Sequence, residues 1–197
     1  MPQTGVVDAR ALVEALAEEA REEGAEFRTS NRAARVSREG SEFVASTDRG
    51  EVRAERLLNA AGVHADEIAR QLGAASEYVI VPFRGDDFEV VGPRARLVCG
   101  LLYPLKDPER PFVGVHFTKP TDGGLLVGPN AVIPPWREAY EGVRPDRDTL
   151  RMGLDPSFVR MLLRNRAVRR HAPRELLLSL SPRAFLEEAA KLVPDLR

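Results

Sequence analysis

The sequence predicts a chain of the α/β (α+β) class: a helix and a β-meander, then a sheet-rich middle, then a helical last third. Three observations predict it. Apolar residues recur at helical spacing after Asp8, three short extended runs follow between turn signals, and β-like runs between residues 78 and 127 alternate with loops carrying Pro93, Pro104, Pro108, Pro111 and Pro120. Prolines lack the N–H that a ladder or a helix interior needs, so they suit loops and edge strands.

Asp8 is placed to cap a helix whose apolar positions Leu12, Val13, Leu16, Ala17 and Ala20 form one face, with Gly24 as its stop. That face is expected to pack on another element. Extended runs near 33–37, 43–47 and 51–54 are separated by Glu39-Gly40 and Asp48-Arg49-Gly50, which reads as a meander. From Arg56 the pattern changes: 57–61 reads as a short buried strand, Gly62 breaks it, and 65–72 is helical. A helix reached through a small-residue turn lets an anion or a ring edge approach the backbone. Further β-like runs at 78–82, 87–91, 97–103, 112–118 and 125–127 define a second, sheet-based domain. Asp155-Pro156 and Ser181-Pro182 each place a cap before a proline at the first helical position, and the second helix would bury Phe185, Leu186, Ala189 and Leu192.

With 197 residues, 43% of them hydrophobic, the chain can bury one substantial core or two modest ones. No run approaches the roughly 18 to 20 apolar residues needed to cross a bilayer, and no basic stretch followed by an apolar segment opens the chain. Neither a transmembrane segment nor secretion is indicated; a cytoplasmic location is expected, with peripheral attachment to the inner membrane as the variant. Cys99 is the only cysteine, so no internal disulfide can form, and its neighbours Leu97, Val98 and Leu101 predict a buried, inert thiol. A formal charge of -1 gives no field to concentrate nucleic acid. The arginine-rich stretch around His171, from Arg160 to Arg174, has no interleaved aromatics and reads as a solvated helix face. His64, His116 and His171 lack metal-ligand spacing, and no Gly-x-Ser-x-Gly elbow is present, so no metal site is expected.

Several blocks occur in a fixed order: Gly5-Val6-Val7-Asp8 opening the first helix, the meander, Leu57-Leu58-Asn59-Ala60-Ala61-Gly62, and Val81-Pro82-Phe83-Arg84-Gly85. Then come Leu102-Tyr103-Pro104, Gly114-Val115-His116-Phe117-Thr118, Gly128-Pro129-Asn130-Ala131, Ser179-Leu180-Ser181 and Leu192-Val193-Pro194. This series resembles the D-amino-acid-oxidase-like flavoprotein superfamily, and its combination resembles the L-2-hydroxyglutarate oxidase/dehydrogenase branch. The branch usually follows Pro-Phe-Arg-Gly with glutamate and two tyrosines, where this chain has Asp86, Asp87 and Phe88.

The resemblance implies a partial FAD/NAD(P)-binding-type domain at 1–76, a mixed-sheet substrate domain at 77–180, and a C-terminal helix at 181–197 returning toward the first. It implies FAD as cofactor, with the backbone of Ala33 near the adenine and Ala61 and Gly62 against the cofactor. Gly62 would be required by close approach or by the turn, or would simply end a strand. The activity implied is oxidation of a small 2-hydroxy acid such as L-2-hydroxyglutarate by hydride transfer to flavin, with His116 as the base for the hydroxyl proton. Arg84 could pair bidentately with a substrate carboxylate or pair with Asp86 or Asp87. Tyr103 and Asn130 could donate to substrate or close turns. His64 could face a flavin edge, or cap its helix, or lie exposed.

Family members usually begin with a strand, a Gly-x-Gly-x-x-Gly turn and a helix that receive the pyrophosphate, and nothing in this sequence matches that Gly-rich βαβ unit. Weak or absent FAD binding by this chain alone is therefore expected, with another chain supplying the segment, or a self-dimer, as the partner. The alternatives are a non-catalytic fragment of the substrate domain and an amine-oxidising, glycine-oxidase-like relative.

Overall fold

The computed structural model describes residues 5–75, 77–105, 108, 112–134, 137–138 and 153–197. The first helix, α1 (Ala9–Glu22), starts where the sequence places it: Asp8 Oδ1 accepts from the backbone N of Arg10 at 2.9 Å and of Ala11 at 3.0 Å. Gly24, at φ 93°, closes it by donating its N–H to the Arg21 carbonyl. The apolar face, expected to be packed, is open: Leu12, Val13 and Leu16 are 47%, 63% and 55% exposed.

The meander forms as β1 (Ala33–Glu39), β2 (Glu42–Thr47) and β3 (Gly50–Ala54), antiparallel and in sequence order. Val36 and Val44 are its buried positions. The helix α2 (Ala65–Gln71) is tied to the meander by Gln71, whose Oε1 accepts from Val36 N at 2.7 Å. The buried strand expected at 57–61 does not form, and Leu58 is 90% exposed. Asn59 shows what replaces it. Its side chain donates to the Ala65 carbonyl and accepts from Ala61 N, folding the segment into a turn before α2.

A second small sheet holds β4 (Phe88–Glu89), β5 (His116–Thr118) and β6 (Leu126–Gly128) in the order β4-β6-β5. Isolated bridges join Arg84 to Val132 and Leu102 to Phe117. The sheet expected to be mixed is antiparallel in every described pair. The short 119–125 connection between β5 and β6 explains this for that pair, since it can only return the chain antiparallel. The runs at 78–82 and 97–103 are not strands. A 3-10 turn at Gly92–Arg96 precedes the second of them; Val98 is buried and Leu102 packs against the core, whereas Cys99, expected to be buried, is exposed.

The last third is helical as expected: α3 (Pro156–Arg164), α4 (Arg166–Leu180) and α5 (Pro182–Ala189). Asp155 accepts from Ser157 N, Asn165 from Val168 N and Ser181 from Ala184 N, so each helix has a side-chain cap. Helix α5 buries Phe185 and Ala189, whereas Leu186 points outward. One core gathers Val98, Val115, Phe117, Leu125 and Val127 from the sheet region with Leu178, Phe185, Ala189 and Leu196 from the helical end.

The chain divides into two compact units, one of residues 1–20, 83–134 and 162–197, the other of 21–82 and 135–161. This differs from boundaries at 76/77 and 180/181. All of α1 except its last two residues groups with the sheet unit, and so does the C-terminal helix, whose Phe185 packs ring to ring on Phe88 at 4.5 Å.

Candidate functional site

Side-chain alternation gives the sheet unit its site. Phe117 is fully buried in the core, so its neighbours His116 and Thr118 point to the opposite face; Val127 likewise faces the core and leaves Gly128 on the His116 side. His116 and Gly128 are direct partners across β5 and β6. Leu102 packs toward the core, and Tyr103 after it stacks on the His116 ring, centroids 4.4 Å apart. His116 Nδ1 lies 2.8 Å from the Gly114 carbonyl oxygen. A carbonyl can only accept, so Nδ1 carries the hydrogen, and in the neutral ring the lone pair sits on Nε2.

Asp87 borders the same place. Its Oδ1 is 2.5 Å from where a Cβ on Gly128 would lie, so only glycine at position 128 leaves that carboxylate where it is. Loss of water against this backbone pushes the Asp87 carboxyl above its ordinary range; His116 opposes the shift and the charge of Asp86 adds to it.

Arg84 and Asn130 meet at a polar bracket behind this face. Arg84 exchanges both backbone hydrogen bonds with Val132, at 2.8 and 2.9 Å. Its Nε lies 2.9 Å from Asp86 Oδ1, an ion pair in which the N–H is too poorly aimed to count as a hydrogen bond; Nε is buried and has no other partner. Of the two readings the sequence left open for Arg84, the pairing with Asp86 is present. Asn130 is buried: its Oδ1 accepts from Asp86 N at 2.7 Å, and its Nδ2 donates to Asp86 Oδ2 and to the Glu175 carbonyl, each at 3.3 Å. The amide is thus engaged with protein groups. Ser179 Oγ donates to Asp86 Oδ2, and Glu175 Oε2 accepts from Ala131 N.

The other unit carries a cleft of about 530 Å³ lined by Ala33, Ala34 and Ala61 together with Arg32, His64, Glu67, Arg137 and Glu138. Two of the three residues expected at a cofactor, Ala33 and Ala61, therefore line the same cleft. Gly62, the third, has φ 54° with open space at its Cβ position, so here the turn, rather than a close neighbour, calls for glycine. His64 occupies the cap position of α2 without capping it; its ring nitrogens reach Glu67 at 3.2 Å and Glu138 at 2.9 Å. Arg137 pairs with the buried Asp66 through both terminal nitrogens, at 2.6 and 2.8 Å, and also donates to the Val63 carbonyl. Burial pushes the Asp66 carboxyl up, but the Arg137 hydrogen bonds, the Ile80 N–H and the charges of Arg137 and Arg70 outweigh it and hold it below its ordinary value.

Sequence reasoning missed Asp66, Arg137, Glu175 and Ser179 as site-shaping residues. Ser179 stood in a recognisable block, and Asp86 and Asp87 were visible as departures; the Asp66–Arg137 pair left no trace, because its partners are 71 residues apart. His171 lies part-buried in α4 with Nε2 lacking a hydrogen-bond partner, while most of the arginines around it are exposed as expected. Among the described residues no group of His, Cys, Asp and Glu could hold a metal ion, and no helix is long and apolar enough to cross a membrane.

Comparison with known proteins places these features in a wider setting. A family model described as "DAO: FAD dependent oxidoreductase" matches residues 1–184. The chain is similar to L-2-hydroxyglutarate dehydrogenase of Indibacter alkaliphilus, with 32% identity over 100% of this chain and 49% of that protein. It is also similar to L-2-hydroxyglutarate dehydrogenase of Escherichia coli strain K12, with 32% identity over 100% of this chain and 46% of that protein. The chain thus spans about half the length of the curated relatives it matches. Among solved structures, L-proline dehydrogenase from P. horikoshii aligns with a TM-score of 0.43 and 18% identity, covering 94% of this chain and 39% of that one.

Proposed function

We propose, from the premise that this chain belongs to the DAO family of FAD-dependent oxidoreductases, that it carries the substrate face and part of the cofactor cleft of an oxidase or dehydrogenase for a small 2-hydroxy acid such as L-2-hydroxyglutarate. The observation that carries this reading is the state of His116. Its Nδ1 hydrogen is held by the Gly114 carbonyl, which leaves the Nε2 lone pair beside Tyr103 on the sheet face turned away from the core.

In this reading His116 accepts the hydroxyl proton of the substrate at Nε2. FAD, when bound, would supply the acceptor for the hydride that leaves the carbon bearing that hydroxyl. Arg84 holds a substrate carboxylate, Tyr103 donates a hydrogen bond from its hydroxyl, and Asn130 serves the site by fixing the Asp86 turn. The cleft supports a place for the nucleotide portion of FAD: its volume is within the roughly 300–1,000 Å³ of small-molecule sites, and Ala33, Ala34 and Ala61 leave room for a flat ring. Ala33, Ala61 and Gly62 would hold it there. The Glu67 and Glu138 carboxylates that would repel phosphates are met by His64 and Arg137. The sequence contains no Gly-x-Gly-x-x-Gly motif, so the chain alone is expected to bind FAD weakly.

Titration of the purified chain into FAD, followed by flavin fluorescence, tests the cofactor half: saturable but weak quenching is expected, and FAD retained stoichiometrically through gel filtration would contradict the weak-binding part. With excess FAD and a redox dye, dye reduction dependent on L-2-hydroxyglutarate should vanish in His116→Gln. Reduction that survives this substitution removes His116 as the base.

A further inference from the structure

The guanidinium group offers carboxylates two bidentate edges: a side edge made by Nε and one terminal nitrogen, and an end edge made by the two terminal nitrogens. In Arg84 the side edge faces Asp86: Nε is buried in an ion pair with Asp86 Oδ1, 2.9 Å away, without an aligned hydrogen bond. The terminal nitrogens have no protein partner among the described residues and are not among the buried polar atoms that lack one, so solvent reaches them. Asp86 cannot follow Arg84 if the arginine moves. Its backbone N donates to Asn130 Oδ1 at 2.7 Å, and its second carboxylate oxygen accepts from Asn130 Nδ2 and from Ser179 Oγ on α4. Both ends of the Asp86 carboxylate are therefore committed, one to its ion pair with the arginine and one to Ser179 on α4 and to Asn130.

We propose that Asp86 is the positioning residue of a carboxylate site on Arg84: held from behind by Ser179 and Asn130, it fixes the Nε edge so that the end edge alone receives the carboxylate of the substrate. The inference rests on the reading of Arg84 as the residue that binds the substrate's acid group. It differs from a simple counter-ion role in the sign of one effect. A carboxylate that merely neutralises Arg84 competes with an incoming anion, so its removal strengthens anion binding; a carboxylate that positions Arg84 weakens binding when removed, because the freed side chain must be ordered again for each ligand.

The test uses the full chain labelled with ¹⁵N and oxalate as the probe, followed through the arginine Nε–Hε signals, with the Arg84 signal assigned by its loss in Arg84→Lys. In the unsubstituted chain oxalate shifts that signal saturably. Asp86→Asn is expected to weaken oxalate binding at least fivefold, Ser179→Ala about two- to threefold, and Asp86→Glu to recover part of the loss, with the amide spectrum otherwise retained. Oxalate binding that is unchanged or tighter in Asp86→Asn overturns the proposal while leaving Arg84 as a carboxylate site. Absence of any saturable shift in the unsubstituted chain overturns both. If Asp86→Asn fails to fold, unchanged binding in Ser179→Ala is sufficient to overturn it.

Discussion

Asp66 is a carboxylate kept charged at 4% exposure, which is tolerable only because Arg137 meets it with two nitrogens and Ile80 N–H and Arg70 take the remaining oxygen positions. Its folded-state pKa is lowered, so the folded state binds fewer protons than the unfolded chain just below the ordinary aspartate range. The stability it contributes is complete above about pH 4 and is lost as the pH falls through the lower folded value. Asp66→Asn removes the carboxylate that meets two Arg137 nitrogens and leaves Arg137 its contacts with Glu67 and the Val63 carbonyl, so it should cost roughly 1.5–3 kcal/mol at pH 7, and less as the pH falls through the lowered folded value; urea melts monitored at the meander check both. Asp87 has the opposite sign. With its pKa raised, it penalises the folded state as the pH climbs through the window above the ordinary value. Which residues were legible follows from the range of their interactions. His116 and Tyr103 stood in short blocks, and strand alternation brings them onto one face; Ala33 and Ala61 lay in separate blocks that share a cleft. Arg137 and Glu175 act on partners 71 and 44 residues away, a distance that no local pattern encodes.

Elements with local signals formed where those signals put them. Asp8 and Gly24 bound α1, the paired turns space β1 to β3, and Asp155-Pro156 and Ser181-Pro182 open α3 and α5. Ser181→Ala removes the acceptor of the Ala184 N–H and should lower stability by about 1 kcal/mol, seen as a shift in the midpoint of a denaturation curve without a change in slope. Ser181→Asp, which restores an acceptor, should recover most of it; no recovery would mean that the cap bond contributes little. The expected strands at 57–61, 78–82 and 97–103 failed for one shared reason. A run of apolar residues states a wish for burial but not a partner, and a strand needs a ladder as well as a buried face. At 57–61 the Asn59 side chain satisfies the backbone locally, and at 97–103 only Leu102 finds a bridge, to Phe117. Burial of Cys99 was inferred from the same pattern and failed with it.

At the scale of the molecule, the two units differ in how much apolar surface each keeps from water. Nine buried residues form the continuous core of the sheet unit, with Phe117 and Leu125 at 0% exposure, and Phe88, Leu102 and Leu192 pack around it. The meander has Val36 and Val44 as its buried apolar positions, β3 has none, and Leu57 and Leu58 beside it are exposed. Local opening free energies scale with the contacts that must be broken, so the two sheets should not exchange their amide hydrogens alike. Peptides covering 115–128 and 183–192 are expected to retain protection longest, while β3 exchanges first among the strands, by a factor on the order of 100 for a difference of about 3 kcal/mol in opening free energy. Addition of FAD discriminates further: a ligand stabilises the state it binds by mass action, so slower exchange should appear at 33–36 and 61–71 around the cleft. Protection gained at 115–128 alone, with none around Ala33 and Ala61, would place the cofactor elsewhere and would remove the cleft from the proposed site.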